Sequence, residues 1–270
     1  MCAHGGHHQW GINYWGTYAP VVNWVSVRFL LIISQLAGLE TQALDFVLAF
    51  PQAKLDVPVY TKIPSGINIA NGSKDEYLIS LKVSIYGIKQ SSANWYDCLK
   101  KGLERRGFHN SKADPCVFMK KGIIILTYFD DCILIDNRKE TLYQLIHSLA
   151  NGIEKFEFID ESAIDKYLGV EVKQLKGKEF ILRQPFLIKR ILAALNMKSG
   201  DYNQRDVTVI GPLLSRDELG SKRKHDWSYR SAIGMLGYLQ NSIQPDISMA
   251  VHQCARFKTN PMVCNERAVK

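Results

Sequence analysis

The sequence predicts an α+β fold, and three observations carry that prediction. An apolar run over residues 122–136 is broken in its middle by Asp130 and Asp131, which reads as two strands joined by a tight turn. Two stretches, Trp95/Leu99/Leu103 and Leu142/Leu145/Ile146/Leu149/Ile153, repeat apolar residues at helical spacing. The elements then run in the order strand, helix, strands, loop, helix, hairpin, helix.

Taken in order, the opening segment clusters His4, His7 and His8, which lack a fourth ligand in local spacing and read as loop or strand-end residues more readily than as a zinc site. Residues 21–37 are rich in apolar side chains and closed by Gly38, which predicts a largely buried helix. Residues 42–50 form a short apolar strand or strand-to-helix passage carrying one acid, Asp45. A strand over 57–63 contains Pro58, which marks an edge or a strand start, and 78–85 is a further short extended or helical piece. From Ser92 to Arg106 a helix packs Trp95, Leu99 and Leu103 and turns Lys100, Lys101, Arg105 and Arg106 outward, with Gly107 as its cap. That basic face reads equally as a solvated surface or a polyanion contact. After the acidic hairpin and the helix of Leu142 to Ile153, residues 167–172 and 179–182 flank a basic tip bearing Lys176 and Lys178. A helix starts at Pro185 and runs to about Met197, 199–225 is poor in apolar residues and reads as a linker, and helices follow over 229–241 and 245–257.

Composition narrows the function classes. The 270 residues and 46% hydrophobic content suit one large or two modest domains with a real core. Lys plus Arg exceed Asp plus Glu by 34 to 26, a net charge of +8 that suits a polyanionic partner, nucleic acid first. The charges are dispersed instead of lining one amphipathic helix, which argues against a membrane surface. Six cysteines without a Cys-x-x-Cys pair indicate neither a zinc ribbon nor a disulfide framework and fit a reduced, intracellular compartment. No secretory leader is evident, and the longest apolar block, residues 29–33, is too short to span a bilayer.

The acidic pair carries the chemistry. Apolar flanks place Asp130 and Asp131 in a covered sheet, where unpaired carboxylates are costly and call for a protonation shift, a basic partner or a cation. The run contains no Lys or Arg, so a divalent metal is the sharper reading, although Asp-Asp is also a common turn dipeptide. Asp45 offers a third carboxylate if the fold sets its strand beside the hairpin. Three such acids suit magnesium or manganese, and two ions about 3.5–4 Å apart serve phosphoryl displacement. With a basic chain, the combination favours nucleotidyl transfer.

A succession of motifs makes this more specific. Asn13-Tyr-Trp-Gly-Thr-Tyr-Ala-Pro-Val-Val22, the Asp45 segment, Val59-Tyr-Thr-Lys-Ile-Pro-Ser-Gly66, Tyr86-Gly-Ile-Lys-Gln90 with Trp95-Tyr96, Gly107-Phe108, Asp114-Pro-Cys116 and Tyr128-Phe-Asp-Asp131 occur in this order. Tyr167-Leu-Gly169, Tyr229-Arg230, Ile233-Gly234, Tyr238-Leu239 and Pro245-Asp-Ile247 follow. The series resembles the reverse transcriptase region of copia-type retrotransposon polyproteins over most of the chain. The resemblance implies a right-hand polymerase fold with fingers, a palm of antiparallel sheet plus helices, and a partial helical thumb. It implies an RNA-directed DNA polymerase that uses an RNA template, a DNA primer, deoxynucleoside triphosphates and two Mg2+ or Mn2+ ions held by Asp45, Asp130 and Asp131. It also implies that Phe50 is an aromatic gate against the ribose 2′-hydroxyl, where the plainer reading is a core phenylalanine. Gln90 is expected beside the incoming nucleotide, Tyr128 and Phe129 at the primer end and nucleotide, and Lys176 and Lys178 on the primer strand.

The same resemblance implies fingers and palm over 1–197, with the fingers incomplete at the N-terminus, and a linker with a helical thumb or connection-like segment over 198–270. A polyprotein fragment, cytoplasmic and packaged in virus-like particles, is the corresponding expectation. Three departures stand out: no basic strand precedes the histidine-glycine segment, Ser91-Ser-Ala-Asn94 replaces the usual Ala-Pro-Arg, and Gln52-Ala-Lys54 replaces a glycine-containing turn. They support an alternative, a catalytically decayed remnant that only binds nucleic acid.

Overall fold

The computed structural model describes residues 2–69, 72–162, 164, 166–175, 179–197, 213–215, 220–221, 223 and 227–270. The chain forms two compact units, Met1–Ile164 and Asp165–Lys270. Both mix helices with antiparallel sheet, the α+β class that the sequence predicts.

The first unit runs through α1 (Trp24–Leu36), β1 (Glu40–Phe46), β2 (Lys54–Lys62), β3 (Leu78–Val83), α2 (Ser91–Arg105), β4 (His109–Asn110), β5 (Val117–Lys120), β6 (Ile123–Tyr128), β7 (Asp131–Asp136), α3 (Lys139–Asn151) and β8 (Phe158–Ser162). Six strands make one sheet in the order β4-β5-β6-β7-β1-β8. The early strand β1 is thus inserted between the acidic hairpin and β8. Because side chains alternate along a strand, Leu44 and Phe46 of β1, Ile125 of β6, and Cys132 and Leu134 of β7 point to one face, where they pack with Trp95, Leu99 and Leu103 of α2 and Leu142, Leu145 and Leu149 of α3. Each such buried side chain contributes about 1.5–3 kcal/mol relative to exposure. Arg106 closes the far end of this layer by donating to the carbonyls of Gly102, Ser148 and Glu154.

Several elements differ from their sequence reading. Helix α1 is not largely buried: Val27, Leu30 and Leu31 face the core while Val25, Phe29, Ile32 and Leu36 are exposed. A helix that is apolar nearly all round gives no stripe from which to tell the inner face. Ile153, read as part of the α3 stripe, lies beyond the helix end and is 94% exposed. Strands β2 and β3 form a separate two-stranded sheet, and Pro58 falls within a break in their register, where its missing N–H costs no ladder bond.

The second unit contains β9 (Lys166–Tyr167), β10 (Val170–Gln174), β11 (Phe180–Arg183), α4 (Pro185–Ala194), α5 (Tyr229–Ser242), α6 (Ser248–Ala255) and α7 (Val263–Val269). Its three strands form one sheet, and its helices bury Ile191, Leu195, Tyr229, Ile233, Leu239 and Cys254. The sequence reading had no counterpart for α7, and most of the expected linker lies outside the described residues. Among those residues no helix is long and apolar enough to cross a membrane.

Candidate active site

The sheet register brings the acids together. Asp45 on β1 pairs with Asp131 on β7, and Asp131 pairs on its other side with Tyr128. Directly paired residues share a face, so Tyr128, Asp131 and Asp45 form a row across three strands. Since Leu44, Phe46 and Cys132 point toward α2 and α3, the row points away from those helices. Asp130 occupies the turn beside it and is exposed.

The turn is held tightly. Phe129 has φ +49°, the left-handed region in which a non-glycine residue is strained by about 1–2 kcal/mol. Two hydrogen bonds fix it: the Trp95 indole Nε1 donates to the Phe129 carbonyl at 2.7 Å, and the Phe46 backbone N–H donates to the Asp130 carbonyl at 2.8 Å. Trp95, read from sequence as a packing residue, therefore also positions the acidic turn.

Electrostatics reflect the crowding. Burial first, then the charges of Asp130, Asp45 and Glu161, raise the Asp131 carboxyl to about 6 from an ordinary 3.8. Burial and then Asp130 raise Asp45. Among the described residues no three His, Cys, Asp or Glu side chains converge as a ligand set for an ion. The donors nevertheless have the right chemistry for a hard divalent cation: they are all carboxylates, and their mutual repulsion is what such a cation relieves. Glu161, near Asp131, went unnoticed in the sequence. It lies at a register shift where β8 meets β1, which no local pattern announces.

Aromatic side chains border the acids. Phe50 follows β1 on a short 3-10 turn, its ring centroid 4.7 Å from Tyr86 and 6.3 Å from Phe129. The Tyr128 and Phe129 rings lie 5.0 Å apart, edge to face. The loop carrying Phe50 is anchored by Gln52, whose amide donates to the carbonyls of Val47 and Glu157 at 2.7 and 2.8 Å and accepts from the Glu157 N–H at 2.9 Å. Tyr86 heads a motif quoted from the sequence but had no role assigned there: burial, then Asp130 and Asp45, push its hydroxyl pKa upward, so it feels the charge of the acids.

Gln90 is fully buried; its amide donates to the Asn13 carbonyl at 2.8 Å, and it also interacts with the His8 side chain. The segment after it opens α2 and ties the helix start to its surroundings: Ser91 Oγ donates to the Ile85 carbonyl at 2.5 Å, and the Asn94 amide donates to Asp56 and Ser84. His4 and His7 lie on a 3-10 turn with ring centroids 5.5 Å apart. Lys176 and Lys178 lie outside the described residues.

Residues 1–209 match the family described as Reverse transcriptase (RNA-dependent DNA polymerase). The chain is similar to the Retrovirus-related Pol polyprotein from transposon TNT 1-94 of Nicotiana tabacum, with 29% identity over 96% of this chain and 20% of that protein. It is similar also to the Retrovirus-related Pol polyproteins from transposons RE1 and RE2 of Arabidopsis thaliana, each with 27% identity over 100% of this chain and 18% of the relative. The chain thus spans about a fifth of the length of these relatives.

Proposed function

The chain belongs to the reverse transcriptase (RNA-dependent DNA polymerase) family, and on that premise we propose that it is the polymerase domain of a copia-type Pol polyprotein, extending a DNA primer with deoxynucleotides on an RNA template. The pairing of Asp45 with Asp131, beside Asp130, is the observation that carries this reading. In this assignment the six-stranded sheet with α2 and α3 is the palm, β2 and β3 belong to the fingers, and the helices of the second unit are thumb-like.

Asp45, Asp130 and Asp131 would hold two Mg2+ or Mn2+ ions, which when bound activate the primer 3′-hydroxyl and stabilise the leaving phosphate oxygen. The protein supplies the rest. Its pinned turn fixes the acids before substrate arrives, which removes reorganisation from the reaction. Phe50 meets the sugar of the incoming nucleotide, and its ring leaves no room for a 2′-hydroxyl. Tyr128 and Phe129 border the primer end, and Gln90 stiffens the wall next to the nucleotide. Lys176 and Lys178, with the net positive charge, supply phosphate contacts. Six free cysteines support a reduced intracellular setting.

One observation favours the second reading, a nucleic-acid-binding remnant. The segment after Gln90 commits its polar groups to the Ile85 carbonyl, Asp56 and Ser84, and Ser91-Ser-Ala-Asn94 presents no cation. Primer extension on an RNA template with Mg2+ or Mn2+ separates the two. Extension by the native chain, lost in Asp130→Asn while template binding persists, is the expected result. Equal extension by both proteins would show that the site is misassigned, and binding without any extension would favour the remnant.

A further inference from the structure

The ring of Tyr86 stands 4.7 Å from the ring of Phe50, the nearer of the two aromatic contacts made by Phe50. Tilted aromatic pairs at this separation hold each other's orientation. The backbone at Tyr86 is fixed from both sides. Cys2 forms a parallel bridge to Tyr86, the Ala3 N–H donates to the Tyr86 carbonyl at 2.8 Å, and the Gly5 N–H donates to the Gly87 carbonyl at 2.9 Å. On the other flank, Ser91 Oγ holds the Ile85 carbonyl at 2.5 Å. Gly87 itself has φ +94°, and a Cβ there would lie 1.9 Å from the Ala3 carbonyl oxygen, so the close approach of the N-terminal segment requires glycine. Phe50 sits on a short 3-10 turn and, like Tyr86, is half-buried. The Tyr86 ring, carried on a backbone held from both flanks, is the nearer of the two rings against which Phe50 takes its angle.

We infer that Tyr86 is a positioning residue for sugar selection: its ring sets the orientation of Phe50, so that preference for deoxyribonucleotides depends on Tyr86 acting through Phe50. The inference rests on the polymerase reading and on Phe50 as the gate. It adds a second residue to that gate and a function to the Tyr86-Gly87 turn. The phenol oxygen is not required for it, since the contact is made by the ring.

The test is the ratio of kcat/KM for a deoxynucleotide over the matching ribonucleotide, measured by primer extension with the full chain. Tyr86→Ala lowers this ratio roughly three- to ten-fold, the range open to the loss of one aromatic-pair contact, chiefly through better use of the ribonucleotide. Tyr86→Phe restores it to within about twofold, which a general loss of folding would not do. Tyr86→Leu, which keeps bulk but lacks a ring, behaves as Tyr86→Ala and guards against failure of the alanine variant to fold. In Phe50→Ala the ratio collapses, and adding Tyr86→Ala to it produces no further fall, because coupled residues are not additive. An unchanged ratio in Tyr86→Ala and Tyr86→Leu alongside a collapse in Phe50→Ala overturns this inference and leaves the polymerase reading standing. An unchanged ratio in Phe50→Ala overturns the gate and the inference together. Should extension be absent, the same selectivity is read from nucleotide-dependent gel retardation of a complex with a dideoxy-terminated primer, and absence of that complex overturns the polymerase reading as well.

Discussion

Asp131→Asn should stabilise the metal-free protein at neutral pH while abolishing nucleotide addition. In the folded chain burial, followed by Asp130, Asp45 and Glu161, lifts the Asp131 carboxyl to about 6 from an ordinary 3.8. Below about pH 4 the group is largely protonated in folded and unfolded chains alike, and folding carries little penalty from it. As pH rises from about 4 through about 6, the unfolded chain ionises first, so stability is lost across that window and remains lost above it. At about 1.4 kcal/mol per pH unit the gap amounts to about 3 kcal/mol. Asp131 is only half-buried, and solvent screening reduces this to about 1.5 kcal/mol. Asparagine carries no charge at any of these pH values and escapes the penalty. In chelator at pH 8 the variant should therefore melt about 3–6 °C higher than the native chain, with the difference narrowing as pH falls toward about 4. Added Mg2+ or Mn2+ should raise the melting temperature of the native chain and do less for the variant. A variant that melts at or below the native temperature at pH 8 in chelator would refute the claim that burial and the neighbouring carboxylates penalise ionised Asp131 in the fold.

Two further outcomes follow from the supports of the site. Trp95→Phe leaves the Phe129 carbonyl without its 2.7 Å donor, which should cost about 2–3 kcal/mol in urea unfolding and lower primer extension; loss of stability with full extension would limit that bond to folding. Asp114→Ala strips the acceptor from the Asn23 and Cys116 N–H groups, each at 3.0 Å, and from Ser26 Oγ at 2.6 Å, and should destabilise the first unit by about 2–4 kcal/mol in a thermal melt. A change within about 0.5 kcal/mol of the native chain would show that those donors find other partners.

Local pattern made part of this structure legible. The acidic hairpin could be read because apolar residues flank two aspartates, and the inner face of α2 could be read because Trp95, Leu99 and Leu103 recur at helical spacing with bases around them. Helix α1 shows where pattern fails: Phe29 and Ile32 are as apolar as Leu30 and Leu31, and only the neighbouring elements decide which pair is covered. The grouping of Asp45 with Asp131 was likewise open, because period-2 alternation assigns faces within a strand but not neighbours across a sheet. The insertion of β1 between β7 and β8 is a tertiary choice. So are the indole of Trp95 reaching Phe129 and the amide of Gln52 bridging to Glu157, since sequence distance says nothing of such contacts.

The two faces of the central sheet divide the work, and this explains how a strained, self-repelling site can persist. Along β1 and β7, Leu44, Phe46, Cys132 and Leu134 are buried against α2 and α3, while Asp45 and Asp131 alternate with them onto the opposite face, at the turn end of a row that also holds the buried Ala43 and Ile133. The apolar face supplies several times the free energy that the carboxylates and the left-handed Phe129 oppose. Trp95 connects the two, since its ring packs against Phe46 and its N–H holds the turn. A sheet arranged in this way can keep like charges close together in the absence of a counter-ion, and hold them ready for a cation, because the register that juxtaposes them is fixed from the other side. Loosening the core is then expected to disturb the acids before the chain unfolds, since the turn beyond the Tyr128–Asp131 pair is tied to the core through the Trp95 indole and to β1 through the Phe46 N–H.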